Sequence, residues 1–317
     1  MVSRTCIRVL VLSLSLATPL LAGSLQKTEV DPEANWLLHA NYEAFRDSTL
    51  GKLVRAELKA QGIEEQLEDF ATVFGFNPLE DLRDVTLYGN GKDREKAVVL
   101  IDGRFDQDKL LAMVRMNPEH EEIPHGNVTL HRWQHEENKG KKKKTQIMYG
   151  GIYDGRLVVI SSGLEAVKGA VDVLAGSGGS GNLGNTLPSG NDNAFLRISA
   201  AGVGKMVDQE PQAAVLRQTD SLALTVGETA GTISAQLSLT GTSEEVAQSM
   251  TKMLEGIIAL ATLAAEEQPA LAELAKGVKL SQQGRTTQVR FETELRTLFN
   301  FLKAQWQQSR QQKEQTP

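Results

Sequence analysis

Residues 84–91 read DVTLYGNG, and residues 220–227 read DSLALTVG. Each opens on an aspartate and closes on a glycine, the pattern of a strand running into a turn. A second strand-like run follows each of them, Ala97–Ile101 in one case and Thr232–Thr240 in the other. Each pair therefore predicts a β-hairpin. The spacing repeats too: Asp84 to Gly91 to Asp106 steps seven and then fifteen residues, and so does Asp220 to Gly227 to Thr242. Asp106, and Thr242 or Ser243, are suited to cap the helices that follow. An offset of 136 residues held across strand, turn and cap predicts an internal repeat.

Working outward, the first half reads as strand, helix, two strands, helix, three strands, helix. Its opening strand is Asn35–Ala40, and a helical face carries Phe45, Leu50, Leu53, Val54 and Leu58 at three- and four-residue spacing. Val128–Trp133 is a strand leading into a charged loop, Thr145–Tyr153 and Arg156–Ser161 form a hairpin across Asp154-Gly155, and Leu164–Leu174 is a helix. The second half opens with Ala194–Ile198. A long helix from Glu244 carries Val246, Met250, Leu254, Ile257, Ile258 and Leu260, and a shorter one runs from Pro269 to Gly277. A last hairpin turns at Gly284, and a helix carrying Leu298, Phe301 and Leu302 closes the chain. Antiparallel runs with helices between them predict an α+β class: two similar halves, each a mainly antiparallel sheet covered by helices on one face.

Between the halves lies Gly176–Asn193, GSGGSGNLGNTLPSGNDN, with six glycines, three serines and four asparagines in eighteen residues. That composition offers little apolar area to offset ordering entropy, and it reads as a linker. The expected organisation is a signal peptide at 1–23, a first repeat at 24–175, a linker at 176–193, a second repeat at 194–306 and a polar, frayed tail at 307–317.

The N-terminus predicts export. Arg4 and Arg8 precede the apolar run Val9–Leu16, and Pro19 precedes the small pair Ala22-Gly23. Ser24 stands where a lipobox would need cysteine, and the one cysteine, Cys6, lies inside the signal. A mature chain would thus be cysteine-free, without disulfides or thiolate chemistry. Losing Arg4 and Arg8 leaves 32 basic against 40 acidic residues, a net charge of −8, which disfavours nucleic acid as a partner. After the signal, the longest largely apolar run, Ile257–Ala265, spans nine residues, too few for a transmembrane segment. The expected location is periplasmic or secreted, and soluble.

Five stretches carry a family resemblance: NWLLHANYEAFRDSTLGKL (35–53), NPLEDLRDVTLYGNG (77–91), VVLIDGRFDQDKL (98–110), LALTVGE (222–228) and EGIIALATLAAEEQPALAELAKGVKL (255–280). Together they resemble an uncharacterised group of secreted bacterial proteins with two α+β repeats. The resemblance implies export and the two-repeat fold, and it implies no activity, catalytic residue or cofactor.

Four of the five histidines, His120, His125, His131 and His135, fall in one window with Glu121, Glu122, Glu136 and Glu137. On an extended strand, Thr129, His131, Trp133 and His135 share a face, and two imidazoles with carboxylates nearby could hold a divalent metal. Incidental histidines in an exposed polar loop account for the same residues, and no HExxH pattern is present. The block Lys139–Lys144, with Lys141, Lys142, Lys143 and Lys144 contiguous, could touch an anionic surface, or could simply be a solvated hairpin tip.

Other matches fail on context. Gly176–Gly181 fits GxGxxG but follows a helix instead of a strand. Ser249–Lys252 fits SxxK inside a helix, without its partner motifs. Asp102, Asp106 and Asp108 lack a calcium-loop pattern and read as a turn plus a cap. Asn127-Val128-Thr129 is a formal glycosylation sequon, and His39 reads as a satisfied core histidine. The leading expectation is a non-enzymatic exported binding protein whose partner is an envelope protein or an anionic surface. The alternatives are a metal-binding protein or metal-dependent hydrolase built on His120–Glu137, and a periplasmic carrier of an apolar ligand. A filled core at Val99, Leu110, Ile257 and Leu260 would speak against the carrier.

Overall fold

In the computed structural model the residues described are 25–139, 142–177, 181, 183, 193–207, 216–263 and 269–314. Residues 1–23, expected to be a signal peptide, lie outside them. The elements of the first half are β1 (Trp36–Asn41), α1 (Tyr42–Asp47), α2 (Thr49–Ala60), α3 (Ile63–Phe74), β2 (Leu82–Gly89), β3 (Val98–Gly103), α4 (Gln107–Arg115), β4 (Glu121–His125), β5 (Val128–Lys139), β6 (Lys142–Tyr153), β7 (Leu157–Ser161) and α5 (Leu164–Asp172). The second half supplies β8 (Ala194–Ala201), α6 (Val203–Met206), β9 (Thr219–Thr229), β10 (Thr232–Gly241), α7 (Glu244–Leu263), α8 (Pro269–Lys276), β11 (Val278–Gln283), β12 (Thr286–Glu294) and α9 (Leu295–Glu314). Local chemistry sets several helix starts. The side chains of Asn41, Ser48, Asp106 and Ser243 accept the N–H groups of Ala44, Gly51, Lys109 and Val246.

The fold is α+β, built on one antiparallel sheet of twelve strands in the order β11-β12-β10-β9-β8-β1-β2-β3-β7-β6-β5-β4. The two halves thus share a sheet, joined where β1 pairs with β8 from Trp36↔Ala200 to Ala40↔Leu196. Side chains directly opposite in antiparallel pairs share a face. One rung can therefore be followed across every strand: Leu280, Val289, Leu237, Leu224, Ile198, Leu38, Leu87, Val99, Ile160, Gly150, His131 and Glu122. Its first nine members are half-buried aliphatics, and it ends on an imidazole and a carboxylate.

Helices lie on both faces. α5 covers the face opposite that rung, where Val167, Ala170 and Val171 close over Leu37, Tyr88, Leu100, Leu157 and Val159. On the rung's own face, Leu50 of α2 and Leu295 of α9 pack with Ile233, and Thr287 of β12 donates to the Ala247 carbonyl of α7. In the second half the α5-side face is left polar, with Gln236, Arg290 and Lys279 exposed on it.

Several expectations need correcting. The 136-residue offset fails at the turn glycines. Gly91 turns the chain with φ +68°, whereas Gly227 pairs with Ala194 inside β9, and the second turn is Ala230-Gly231 with φ +49° and +79°. A type I′ hairpin turn has positive φ at both central residues, which suits Gly231. The expected three-strand run has a fourth member, β4, overlooked because Pro124 interrupts its pattern; as a sheet edge it tolerates proline. The charged segment after Trp133 is extended strand, not loop.

Residues 307–314 of the expected tail belong to α9, which runs to Glu314. Ile257 and Leu260, placed in a buried stripe by their spacing, are 54% and 68% exposed. Only Ala247 and Met250, in the first part of α7, are buried against the sheet. The expected core positions Val99 and Leu110 are half-buried. Finally, the Gly/Ser/Asn-rich segment is not wholly a spacer. Leu183 is 4% exposed and packs in the first-half core, and a side chain on Gly181 would collide with the Pro32 backbone.

Candidate metal centre

Three of the residues in the histidine window meet. After α4 the chain turns through Asn117, whose carboxamide ties that turn to β5: Asn117 Nδ2 donates to the Gln134 carbonyl at 2.9 Å, and Asn117 Oδ1 accepts from the Glu119 and Gln134 N–H groups at 3.1 and 3.3 Å. Arg132 Nη1 adds a bond to the Glu119 carbonyl at 3.1 Å. This turn sets His120 above β5, and the β4–β5 register places Glu122 directly opposite His131.

His120 Nε2 lies 3.0 Å from His131 Nδ1, and the rings stack with centroids 5.3 Å apart. A ligand atom from each of His120, Glu122 and His131 falls within 4.8 Å of the other two. Two nitrogens on one tetrahedral zinc, each at ~2.0–2.1 Å, stand about 3.3 Å apart, so the imidazoles need move little to share an ion. His131 is 4% exposed. Burial, then the neighbouring His120, holds its pKa below the usual histidine value, which favours the neutral, ligating form. Glu122 is held below the usual carboxylate range by hydrogen bonds from Arg115, whose Nε and Nη2 reach Glu122 Oε1 at 3.0 and 2.9 Å. That guanidinium competes with any ion.

The remaining predicted residues fall elsewhere. His125 Nε2 contacts Asp172 Oδ1 at 2.8 Å, at the end of α5. His135 is exposed and pairs with Gln146. It shares a strand face with His131, as expected, but four residues of strand separate them by about 13 Å, too far for one ion. The second imidazole comes instead from the turn before β4. Lys142, Lys143 and Lys144 lie in β6 opposite Lys139, Asn138 and Glu137, and Lys141 is outside the described residues. His39 is the expected core histidine, 1% exposed with Nδ1 2.9 Å from Thr86 Oγ1. Ser249 donates to the Glu245 carbonyl within α7, as a helix-surface serine does.

One polar cluster escaped the sequence reading. Asp84 and Asp102 face each other across β2–β3, 8% and 6% exposed. Asp102 is no turn residue: it lies in β3, takes Arg83 at 3.1 Å and is also bonded by Arg156, which reaches Glu29 at 3.1 Å. Burial, then the charge on Asp102, pushes the Asp84 pKa up to about 7. The signal was two aspartates in hairpin register, but register is a property of the pair, not of either strand.

No family model matches the sequence, and no curated relative does. Among solved structures the chain is similar to TP0453 in several crystal forms. Against form III the TM-score is 0.46 at 7% identity, covering 87% of this chain and 96% of that one. Against form I the TM-score is 0.43 at 7% identity, with 89% and 98% covered. Against form IV it is 0.41 at 9% identity, with 88% and 97% covered. Likeness at this level bears on no functional conclusion.

Proposed function

We propose that this is an exported, non-enzymatic binding protein whose ligand is a divalent transition-metal ion held by His120, Glu122 and His131. The observation that carries the reading is the approach of a buried imidazole, a second imidazole and a carboxylate within 4.8 Å on a tied-down turn and two paired strands. Two nitrogens and one oxygen suit zinc or a neighbouring first-row ion better than calcium or magnesium. Export rests on the basic, apolar and small-residue layout of residues 1–23.

Untagged protein should bind about one equivalent of Zn2+ per chain in titration calorimetry and elemental analysis. His131→Ala should weaken that binding by at least roughly 100-fold, since loss of an outer-shell partner alone costs ten to a hundredfold. Arg115→Gln should have the opposite sign, because it frees Glu122 and removes a cation beside the ion. Protein that takes up no stoichiometric metal would end this reading.

A further inference from the structure

Beyond Arg132 and Tyr149 the β5–β6 hairpin outruns the sheet. β4 pairs with β5 only from Val128 to Arg132, and β7 pairs with β6 only from Tyr149 to Tyr153. From Trp133↔Met148 to Lys139↔Lys142 the two strands pair with each other and have no further strand beside them. Asn117 ties the base of this ribbon through the Gln134 backbone. At ~3.4 Å per residue the ribbon extends about 20 Å past its neighbours. It shares no residue with the metal centre.

The charge of the chain is divided along this ribbon. Residues 133–148 carry five lysines against Glu136 and Glu137, a net +3. The rest of the chain after residue 23 carries 27 basic against 38 acidic residues, a net −11. The register does little to neutralise the tip. Lys144 pairs with Glu137, but Lys143 pairs with Asn138, and Lys142 pairs with Lys139. Like charges directly opposite on paired strands are unfavourable, and an anionic partner relieves them.

The separation of the two charges selects the shape of that partner. Interactions between exposed charges are screened over about 8 Å at physiological ionic strength. A flat anionic surface met by the tip therefore feels the lysines and little of the acidic body about 20 Å behind them. A polyanion that wraps the molecule meets that body as well. No apolar side chain lies between His135 and Gln146, so the contact is electrostatic and does not insert. We propose that the β5–β6 ribbon docks this protein reversibly on an anionic lipid bilayer through Lys139, Lys142, Lys143 and Lys144.

Co-sedimentation of the untagged chain with vesicles tests this, in EDTA so that no metal bridges protein and lipid. Mixed phosphatidylglycerol–phosphatidylcholine vesicles should bind it, and raising the salt should release it. Vesicles of phosphatidylcholine alone should not bind, and they read any contribution from the apolar run Val9–Leu16. Each lysine close to such a surface is worth roughly fivefold in affinity. Changing Lys142, Lys143 and Lys144 together to Gln should therefore weaken binding roughly a hundredfold without lowering the melting temperature. Lys139→Gln and Lys143→Gln, made singly, should each cost about fivefold and keep the test open if the triple variant folds poorly. Lys52→Gln with Lys59→Gln, at exposed positions of α2, should bind as the parent does. Equal binding to both kinds of vesicle, or unchanged affinity in the ribbon variants, would overturn the proposal. Binding to heparin without binding to vesicles would overturn it too, because the partner would then be a soluble polyanion.

Discussion

Asp84 shows how far a side chain can depart from its ordinary chemistry when strand register chooses its neighbours. Facing Asp102 in a buried rung, it has a pKa raised from 3.8 to about 7. An acid whose folded pKa is raised binds more protons folded than unfolded between those values, so stability falls as pH rises from about 4 to about 7 and stays reduced above. The full shift corresponds to an upper figure on the order of 4 kcal/mol. Asp84→Asn should remove that slope and raise the urea midpoint at pH 8, leaving it nearly unchanged at pH 4. Equal midpoint changes at both pH values would show that the carboxyl is not titrating in this range. Asp106, by contrast, behaves as its local sequence requires, because an N-cap depends on a backbone N–H three residues away.

At the scale of elements, the hairpins and most helices follow from periodicity and capping, while their extents follow from what lies beneath them. α7 has an apolar spacing throughout, yet it is buried only where β10, β11 and β12 support it, at Ala247 and Met250. β4 illustrates the converse: proline weakened its signal, and an edge position made the proline harmless. The glycine-rich connection is the most instructive case. Its composition describes a spacer, but Leu183 is buried against the core that α5 covers. Leu183→Ala should lower stability by about 2–4 kcal/mol in urea unfolding, as large-to-small changes in cores do. A true spacer would register no change.

For the whole molecule, the decisive feature is the union of the two halves into one sheet. Besides the β1–β8 ladder, Glu228 of β9 accepts the Thr49 and Leu50 N–H groups at the start of α2, at 3.1 and 2.8 Å. Burial works against the Glu228 carboxylate, but hydrogen bonds from Ser48, Thr49 and Leu50 outweigh it and hold the pKa low. Phe45 meets Phe195 edge-on at 5.5 Å, and Lys303 of α9 reaches Glu57 of α2 at 2.6 Å. A protease nick within 184–192 should therefore leave both fragments co-eluting in native size-exclusion chromatography and separating only in denaturant. Fragments that part in native buffer would mean that the shared sheet does not hold in solution.

Residue order alone determined the α+β class, the hairpins around Asp84 and Asp220, the helix caps and the export-like N-terminus. These rest on interactions between residues a few positions apart, which composition and spacing record directly. The candidate metal centre was half legible: the histidine window was visible, but His120 joins His131 through a turn and a strand register, and His135 drops out because four residues of strand are too long for one ion. Tertiary structure alone decided that the halves share one sheet, that Asp84 faces Asp102, that Leu183 is core and that the lysine block ends a ribbon extending past its neighbouring strands. Each depends on which strands or segments become neighbours, a choice made by packing the whole chain.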